Sequence, residues 1–285
     1  MRSLTADQPG TEETAAAVSA VAHAAEHDRR LLGRVQIGSQ WVDNTTLDGA
    51  AAFAIERARQ RRHSHPALLA TVNARSVLLA ADSPPFAEIL NYSALSIPDG
   101  MSIVLASRLL GTPLRERVTG VDLVEEVCKR CAVEKLRVYF LGGRPGAADR
   151  TAAMLTERYP GFLLAGTDCP PHDFERDPAQ QQRVLSRIRS AAPDILFVAL
   201  GMPKQECWIA ANSSLLEVGL VMPVGGTFEL LAGMIPRAPR WLQRLGLEWL
   251  FRMLVEPRRL WRRYLIGNVR FIALIVRQYL NRPAD

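Results

Sequence analysis

The chain has 285 residues, 48% hydrophobic and 22% charged, with a net charge of +6. That length suits one large domain plus an appendage. No apolar run approaches the ~18 residues of a membrane-spanning helix, the best being FIALIV (271–276) between Arg270 and Arg277.

The charge is uneven. Residues 236–285 carry eleven arginines against Glu248, Glu256 and Asp285, a net of +8, which leaves −2 for residues 1–235. A basic tail on a slightly acidic body suits an anionic surface or phosphate. Trp241, Trp249, Trp261, Phe251 and Tyr264 interleave with these arginines, which favours a membrane interface over nucleic acid. The start, MRSLTADQPGTEE, lacks the apolar segment of a secretory signal. The expectation is a cytoplasmic protein, peripheral on the inner face of the cell membrane.

Residues 1–33 read as a disordered N-terminal extension. RVQIGSQWVD (34–43) reads as a strand or hairpin, and DNTTLDGAAAFAIERARQ as a helix behind good capping residues. ALLATVN (67–73) is a short buried strand. SVLLAADSPPFAEILNYS is helical around a Pro84-Pro85 break, and ALSIPDG (94–100) is a strand and turn. MSIVLASRLLG is a helix closed by Gly111, and TGVDLVEEVCKRCAVEK a helix capped near Thr119 or Asp122. Three runs then read as buried strands opening into helix-starting loops: LRVYFLGGRPG (136–146), DILFVALGMPKQE (194–206) and LVMPVGGTFE (220–229). Strands alternating with helices predict an α/β fold, a Rossmann-like parallel sheet with helices on both faces. Beyond Pro236 the pattern is helical only. The expected division is 1–33 extension, 34–235 α/β core and 236–285 Arg/Trp-rich appendage.

Cys128 and Cys131 form a C-x-x-C inside a helix, whereas a redox pair starts a helix after a strand and a zinc site needs a second ligand pair. His63 and His65 lack further metal partners, and neither D-x-D nor G-x-S-x-G occurs. The reading assigns no metal and no cofactor.

In such a sheet, ligands bind at the carboxyl ends of the strands, where helix N-termini suit phosphate. Thr71 and Asn73 end one strand, and the period of two points both the same way. They suit sugar hydroxyls, or equally the start of the next helix. Pro98-Asp99-Gly100 suits a turn, or a carboxylate held where it can take a proton from a hydroxyl. Arg117 suits an anion or the surface. Gly142 and Gly143 permit close backbone approach but belong to neither the G-x-G-x-x-G nor the P-loop pattern. Gly201, Pro203, Lys204, Gln205 and Glu206 crowd one helix start, and Lys204 is one of three lysines. Lys204 and Gln205 suit phosphate and sugar, while Glu206 complements the helix dipole. Gly225, Gly226 and Glu229 form a third such loop.

Thr71-x-Asn73, Pro98-Asp99-Gly100, Arg117-Val118-x-Gly120-x-Asp122-Leu123, Gly201-x-Pro203-Lys204-Gln205-Glu206 and Gly225-Gly226-x-Phe228 occur in this order. They are followed by Arg237-Ala238-Pro239-x-Trp241, Leu247-Glu248-Trp249-Leu250-x-Arg252, Glu256-Pro257-x-Arg259 and Arg262-Arg263-Tyr264. The ordered set, covering most of residues 34–265, resembles the WecG/TagA/CpsF glycosyltransferases. The resemblance implies inverting, metal-independent transfer from a UDP-sugar to a polyprenyl-diphosphate-linked sugar, by a homo-oligomeric protein docked on the membrane. It implies Asp99 as general base and Thr71, Asn73, Arg117 and Gln205 in the sugar pocket. It also implies that Arg252, Arg259 and Arg262 close over the site with Arg237 to meet diphosphate. Glu229 stands where many relatives carry Asp. N-acetylmannosamine, its uronic acid, glucose and glucuronic acid are all donor sugars in the family. The competing classes are a nucleotide-binding oxidoreductase on the same fold and a non-catalytic membrane-binding module.

Overall fold

Alternation within the short apolar runs sets the architecture. In the computed structural model, which describes residues 33–60 and 65–282, six strands form one parallel sheet: β3 (Ala67–Val72), β4 (Leu95–Pro98), β5 (Arg137–Gly142), β6 (Leu163–Asp168), β7 (Ile195–Ala199) and β8 (Leu220–Pro223). The order is β4–β3–β8–β7–β5–β6. Val138 and Phe140 face one core while Tyr139 and Leu141 face the other, and Ile195/Phe197 and Leu196/Val198 divide likewise. A strand buried on both sides must be apolar throughout, because helices cover both faces of a parallel sheet.

One helical layer comprises α1 (Leu47–Arg59), α5 (Gly120–Glu134) and α6 (Ala147–Arg158). Its alanine-rich α1 packs close to α5, and Phe140 sits 5.1 Å from the Phe228 ring and 5.8 Å from Phe197. The opposite layer comprises α3 (Pro84–Asn91), α7 (Pro178–Ala191) and α8 (Lys204–Asn212). Cys128 and Cys131 are buried in α5, where burial pushes both thiols up, and both are unpaired.

A third cluster joins the antiparallel hairpin β1 (Arg34–Ile37) and β2 (Gln40–Asp43) to α2 (Ala74–Asp82) and α4 (Met101–Leu109). The hairpin is tied to the β4 edge by the backbone N–H of Ser96, which donates to Asp43 Oδ2 at 2.7 Å. Beyond α9 (Thr227–Leu231) come α10 (Arg240–Arg244), α11 (Glu248–Val255) and the long α12 (Pro257–Leu280). α12 returns to the hairpin, burying Phe271 and Ile275 in the third cluster. Gln278 accepts from Gly38 N and donates to Gln36 O, and Arg270 pairs with Asp82 on α2. No helix among the described residues is long and apolar enough to cross a membrane.

The strand β6 has no counterpart in the sequence reading. It is an edge strand with Leu163 and Leu164 exposed, so neither a continuous apolar run nor a clean alternation marks it. The extension over residues 1–32 and His63 lie outside the described residues, as do the side chains of Arg244, Arg259 and Arg263.

Candidate active site

The carboxyl ends of β3 and β4 bring Asn73 and Asp99 together. Asn73 caps α2, its Oδ1 accepting from Arg75 N at 3.1 Å and Ser76 N at 3.2 Å, while Ser76 Oγ accepts from Asn73 N. This capping box fixes the side chain so that Nδ2 donates to Asp99 Oδ2 at 3.4 Å. Asp99 N donates to Val72 O at 2.8 Å, and Oδ1 accepts from Gly120 N, the first residue of α5, at 3.3 Å. Burial lifts the Asp99 carboxyl above the usual carboxylate range. The Gly120 and Asn73 donors oppose this, the Glu248 charge adds to it and Arg117 opposes it. A carboxylate aligned by two neutral donors at a helix start, with raised proton affinity, is suited to take a proton. Thr71 is buried one turn of the strand before Asn73, and a Cβ built on Gly120 would lie 3.7 Å from Thr71 Cγ2. Thr71, in β3, therefore faces the start of α5, while Asn73, just past the strand, meets Asp99.

Arg117 leads into α5, whose cap is Thr119, with Oγ1 accepting from Asp122 N at 3.2 Å. Arg117 Nη1 is 3.0 Å from Glu248 Oε2 on α11. Arg237 Nη1 is 2.7 Å from Asp122 Oδ1, and its Nη2 donates to Thr119 Oγ1 at 3.4 Å. Burial alone would raise the Asp122 carboxyl, but the Arg237 hydrogen bond and charge bring it below the usual range. Two appendage residues thus meet the helix start that holds Asp99.

Gln205 joins two of the glycine loops. Its Oε1 accepts from Gly201 N and Gly225 N, both at 3.1 Å, and its Nε2 donates to Glu206 Oε1 at 2.9 Å. Gln205 is 2% and Glu206 1% exposed. The two glycine N–H groups therefore point at Gln205, which ties the end of β7 to the end of β8. Burial pushes the Glu206 carboxyl up to about 7, and its Oε2 has no hydrogen-bond partner. The neighbouring Arg75, two residues past Asn73, donates to Met202 O at 2.9 Å and so fastens α2 to the same loop. Lys204 Nζ lies 2.7 Å from Glu175 and 3.3 Å from Asp173, in the loop after β6.

Gly142 and Gly143 serve the sheet itself. With φ +93°, Gly142 lies where a Cβ would be 2.6 Å from Ala199 O, and Gly143 N donates to that same oxygen at 2.8 Å. Gly201 and Gly225 also have positive φ, but nothing lies within 4 Å of a Cβ there, so they face open space at the sheet edge.

The last loop meets the appendage. Glu229 Oε1 accepts from Arg144 N at 2.9 Å, its Oε2 is buried without a partner, and Arg144 Nη2 reaches Glu256 Oε1 at 2.8 Å. A Cβ built on Gly226 would lie 3.7 Å from Arg252 Nη2 and 3.8 Å from Glu229 Oε2. Arg252 Nε is buried without a partner. Arg262 is exposed, 5.2 Å from the Trp261 ring, and makes none of these contacts. Among the described residues no three His, Cys, Asp or Glu side chains group as metal ligands.

The sequence reading passed over Arg75, and it took Glu206 and Glu248 only as a dipole partner and a motif position. Their signal was adjacency to singled-out residues: Arg75 follows Asn73 by two, Glu206 follows Gln205, and Glu248 precedes Arg252 by one helical turn.

The family model described as "Glycosyl transferase WecG/TagA/CpsF family" matches residues 35–285. A protein of Bacillus spizizenii (strain W23) named N-acetylglucosaminyldiphosphoundecaprenol N-acetyl-beta-D-mannosaminyltransferase is 32% identical over 199 residues, 70% of this chain and 75% of the relative. Its namesake from Staphylococcus aureus (strain NCTC 8325) is 31% identical over 208 residues, 73% of this chain and 77% of the relative.

Proposed function

Because the chain belongs to the WecG/TagA/CpsF glycosyltransferase family, we propose that it moves a sugar from UDP to a polyprenyl-diphosphate-linked sugar, with inversion and without a metal ion. The relatives' names make N-acetylmannosamine the first donor sugar to consider and an N-acetylglucosaminyl-diphospholipid the first acceptor. Glucose and uronic acids are the alternatives. The observation that carries the reading is Asp99, held at the sheet's carboxyl edge by Asn73 and the N-terminus of α5 with its proton affinity raised.

Asp99 takes the proton of the acceptor hydroxyl as its oxygen bonds to the sugar's C1. The bond from C1 to the UDP oxygen breaks on the opposite face, and its electrons leave with UDP. Charge developing on the diphosphate needs positive partners aimed in advance. Arg252, beside the Gly226 loop, and Arg117 are suited to that, since the guanidinium fork matches phosphate oxygens. Exposed Trp241, Leu254, Trp261, Ile266 and Val269 among the appendage arginines support docking on the cytoplasmic face of an anionic membrane, where a lipid-linked acceptor lies.

The test is UDP release in EDTA from a panel of UDP-sugars, with and without a prenyl-diphospho-sugar acceptor. Acceptor-dependent release from one donor supports the transferase and identifies its substrate. No release from any donor together with no UDP binding overturns it, whereas UDP binding without release overturns only the acceptor.

A further inference from the structure

We propose that Glu248, the first residue of α11, is a positioning residue that holds Arg117 in place beside Asp99 and fastens the appendage to the site. The inference rests on the reading of Asp99 as the base.

Glu248 stands between two arginines. Its Oε2 is 3.0 Å from Arg117 Nη1 and its Oε1 3.9 Å from Arg237 Nε. The Arg117 and Glu248 side chains are 14% and 18% exposed, so neither is a solvated surface charge. Arg237 in turn holds Asp122 and Thr119, the residues that begin α5, and the next residue, Gly120, donates to Asp99. Two arginines and two carboxylates thus alternate and cancel within one contact of the base's own helix start. Without Glu248, two half-buried guanidiniums would face each other with one carboxylate between them, a costly arrangement.

The same short helix has a second point of attachment. Glu248 and Arg252 are four residues apart and share a face. Glu248 reaches Arg117, and Arg252 reaches the Gly226 loop beside Glu229. This helix is half-buried, with the Trp249 ring 5.9 Å from that of Tyr264 on α12, and the Glu248–Arg117 ion pair adds a polar tie to the body. Arg117 itself is a long side chain whose rotamers must be frozen before it can act on a substrate. The ion pair freezes them in advance. A plain helix-dipole role for Glu248 would need only its place in the first turn, and neither arginine.

The groups facing Asp99 are Asn73 from α2, the Gly120 N–H from α5, Arg117 from the loop before it and Glu248 from α11, with Asp122 and Arg237 behind. The Glu248 charge raises the Asp99 carboxyl and Arg117 lowers it. Glu248→Gln removes the first effect and so moves the acid limb of kcat/KM down, whereas an Arg117 that swings away removes the second and moves it up, so the limb by itself does not read the position of Arg117.

The experiment measures kcat/KM for the full-length wild type, Glu248→Gln and Glu248→Asp, and for Arg117→Ala with and without Glu248→Gln. The substrates are UDP-N-acetylmannosamine and a prenyl-diphosphate-linked N-acetylglucosamine. Hydrogen exchange over residues 240–255 is read on the same proteins without substrate. The expected result is kcat/KM about tenfold lower in Glu248→Gln but little further lowered by it in an Arg117→Ala background, faster exchange in α11, and recovery of rate and exchange in Glu248→Asp. A Glu248→Gln loss of kcat/KM as large in an Arg117→Ala background as in the wild type overturns the positioning of Arg117, and unchanged exchange overturns the attachment. A wild type with neither acceptor-dependent UDP release nor UDP binding refutes the proposed function instead, and the exchange result then decides this inference.

Discussion

Replacing Gln205 with Met tests the join between the two glycine loops. Methionine matches the side chain's length and suits a helix, but it lacks a strong acceptor and any donor. Three hydrogen bonds disappear: two from the N–H groups of Gly201 and Gly225, and one to Glu206. A fully buried polar group left without a partner costs roughly 1–3 kcal/mol. Both glycines are half-buried at an open edge, where water can answer part of the loss. The sum is then about 2–4 kcal/mol. At about 2–4 °C per kcal/mol for a domain of this size, the melting temperature should fall by roughly 5–15 °C. UDP affinity should fall with it if the loops hold the donor. Calorimetry and UDP titration read both. Gln205→Glu sharpens the test, since it keeps the acceptor but sets a second carboxyl against Glu206. It should be close to wild type near pH 5.5, where Glu206 is protonated, and lose stability above pH 7. A Gln205→Met protein with wild-type melting and wild-type UDP affinity would refute the reasoning.

Asp99→Asn should retain UDP binding and lose turnover by about 10²–10⁴-fold, the usual worth of a positioned base. Turnover within a few-fold of wild type removes Asp99 from that role. Gly142→Ala should destabilise by about 2–4 kcal/mol, from left-handed strain plus the collision with Ala199 O. Gly201→Ala, with similar φ but open surroundings, should cost only about 1–2 kcal/mol. Chemical denaturation compares the two, and equal losses would show that the close strand contact is unimportant. Glu206 binds its proton more tightly folded than unfolded, with a carboxyl moved from the ordinary 4.5 to about 7. Its contribution is therefore greatest at acid pH and declines as pH rises from about 4.5 to 7, by at most about 3 kcal/mol. Glu206→Gln should flatten that slope in denaturation curves taken across the range, and an unaltered slope would assign it to other groups.

How legible the molecule was varied with the physical signal. The parallel core was plain because β7, β8 and β5 beyond its exposed Arg137 are buried on both faces and had to be apolar there. The break at Pro84 and the helix end at Gly111 were equally plain, since proline and a left-handed glycine each restrict the backbone locally. The edge strand β6 was hidden because it is half solvated, and pairing with β5 rather than its own pattern makes it a strand. Thr71, Asn73 and Asp99 were visible as polar residues at strand ends. Whether Asn73 capped a helix or faced the site was left open, and it does both, capping α2 while touching Asp99.

By itself the sequence determined the order of the elements apart from β6, the apolar strands and the positions where the backbone must turn, because those depend on periodicity and on the local stereochemistry of glycine and proline. It also carried the ordered motifs of the family. Only the tertiary structure decided which of these residues meet. Gly142 and Gly201 look alike in sequence, yet one is required by a neighbouring strand's carbonyl and the other faces open space. Gln205 reads as a ligand residue, and only the packing shows that its Oε1 also takes the N–H groups of two separate loops. Glu248 lies 131 residues from Arg117 along the chain and 3.0 Å from it in space. Such contacts arise when separate elements pack, and no local pattern encodes the distance between them.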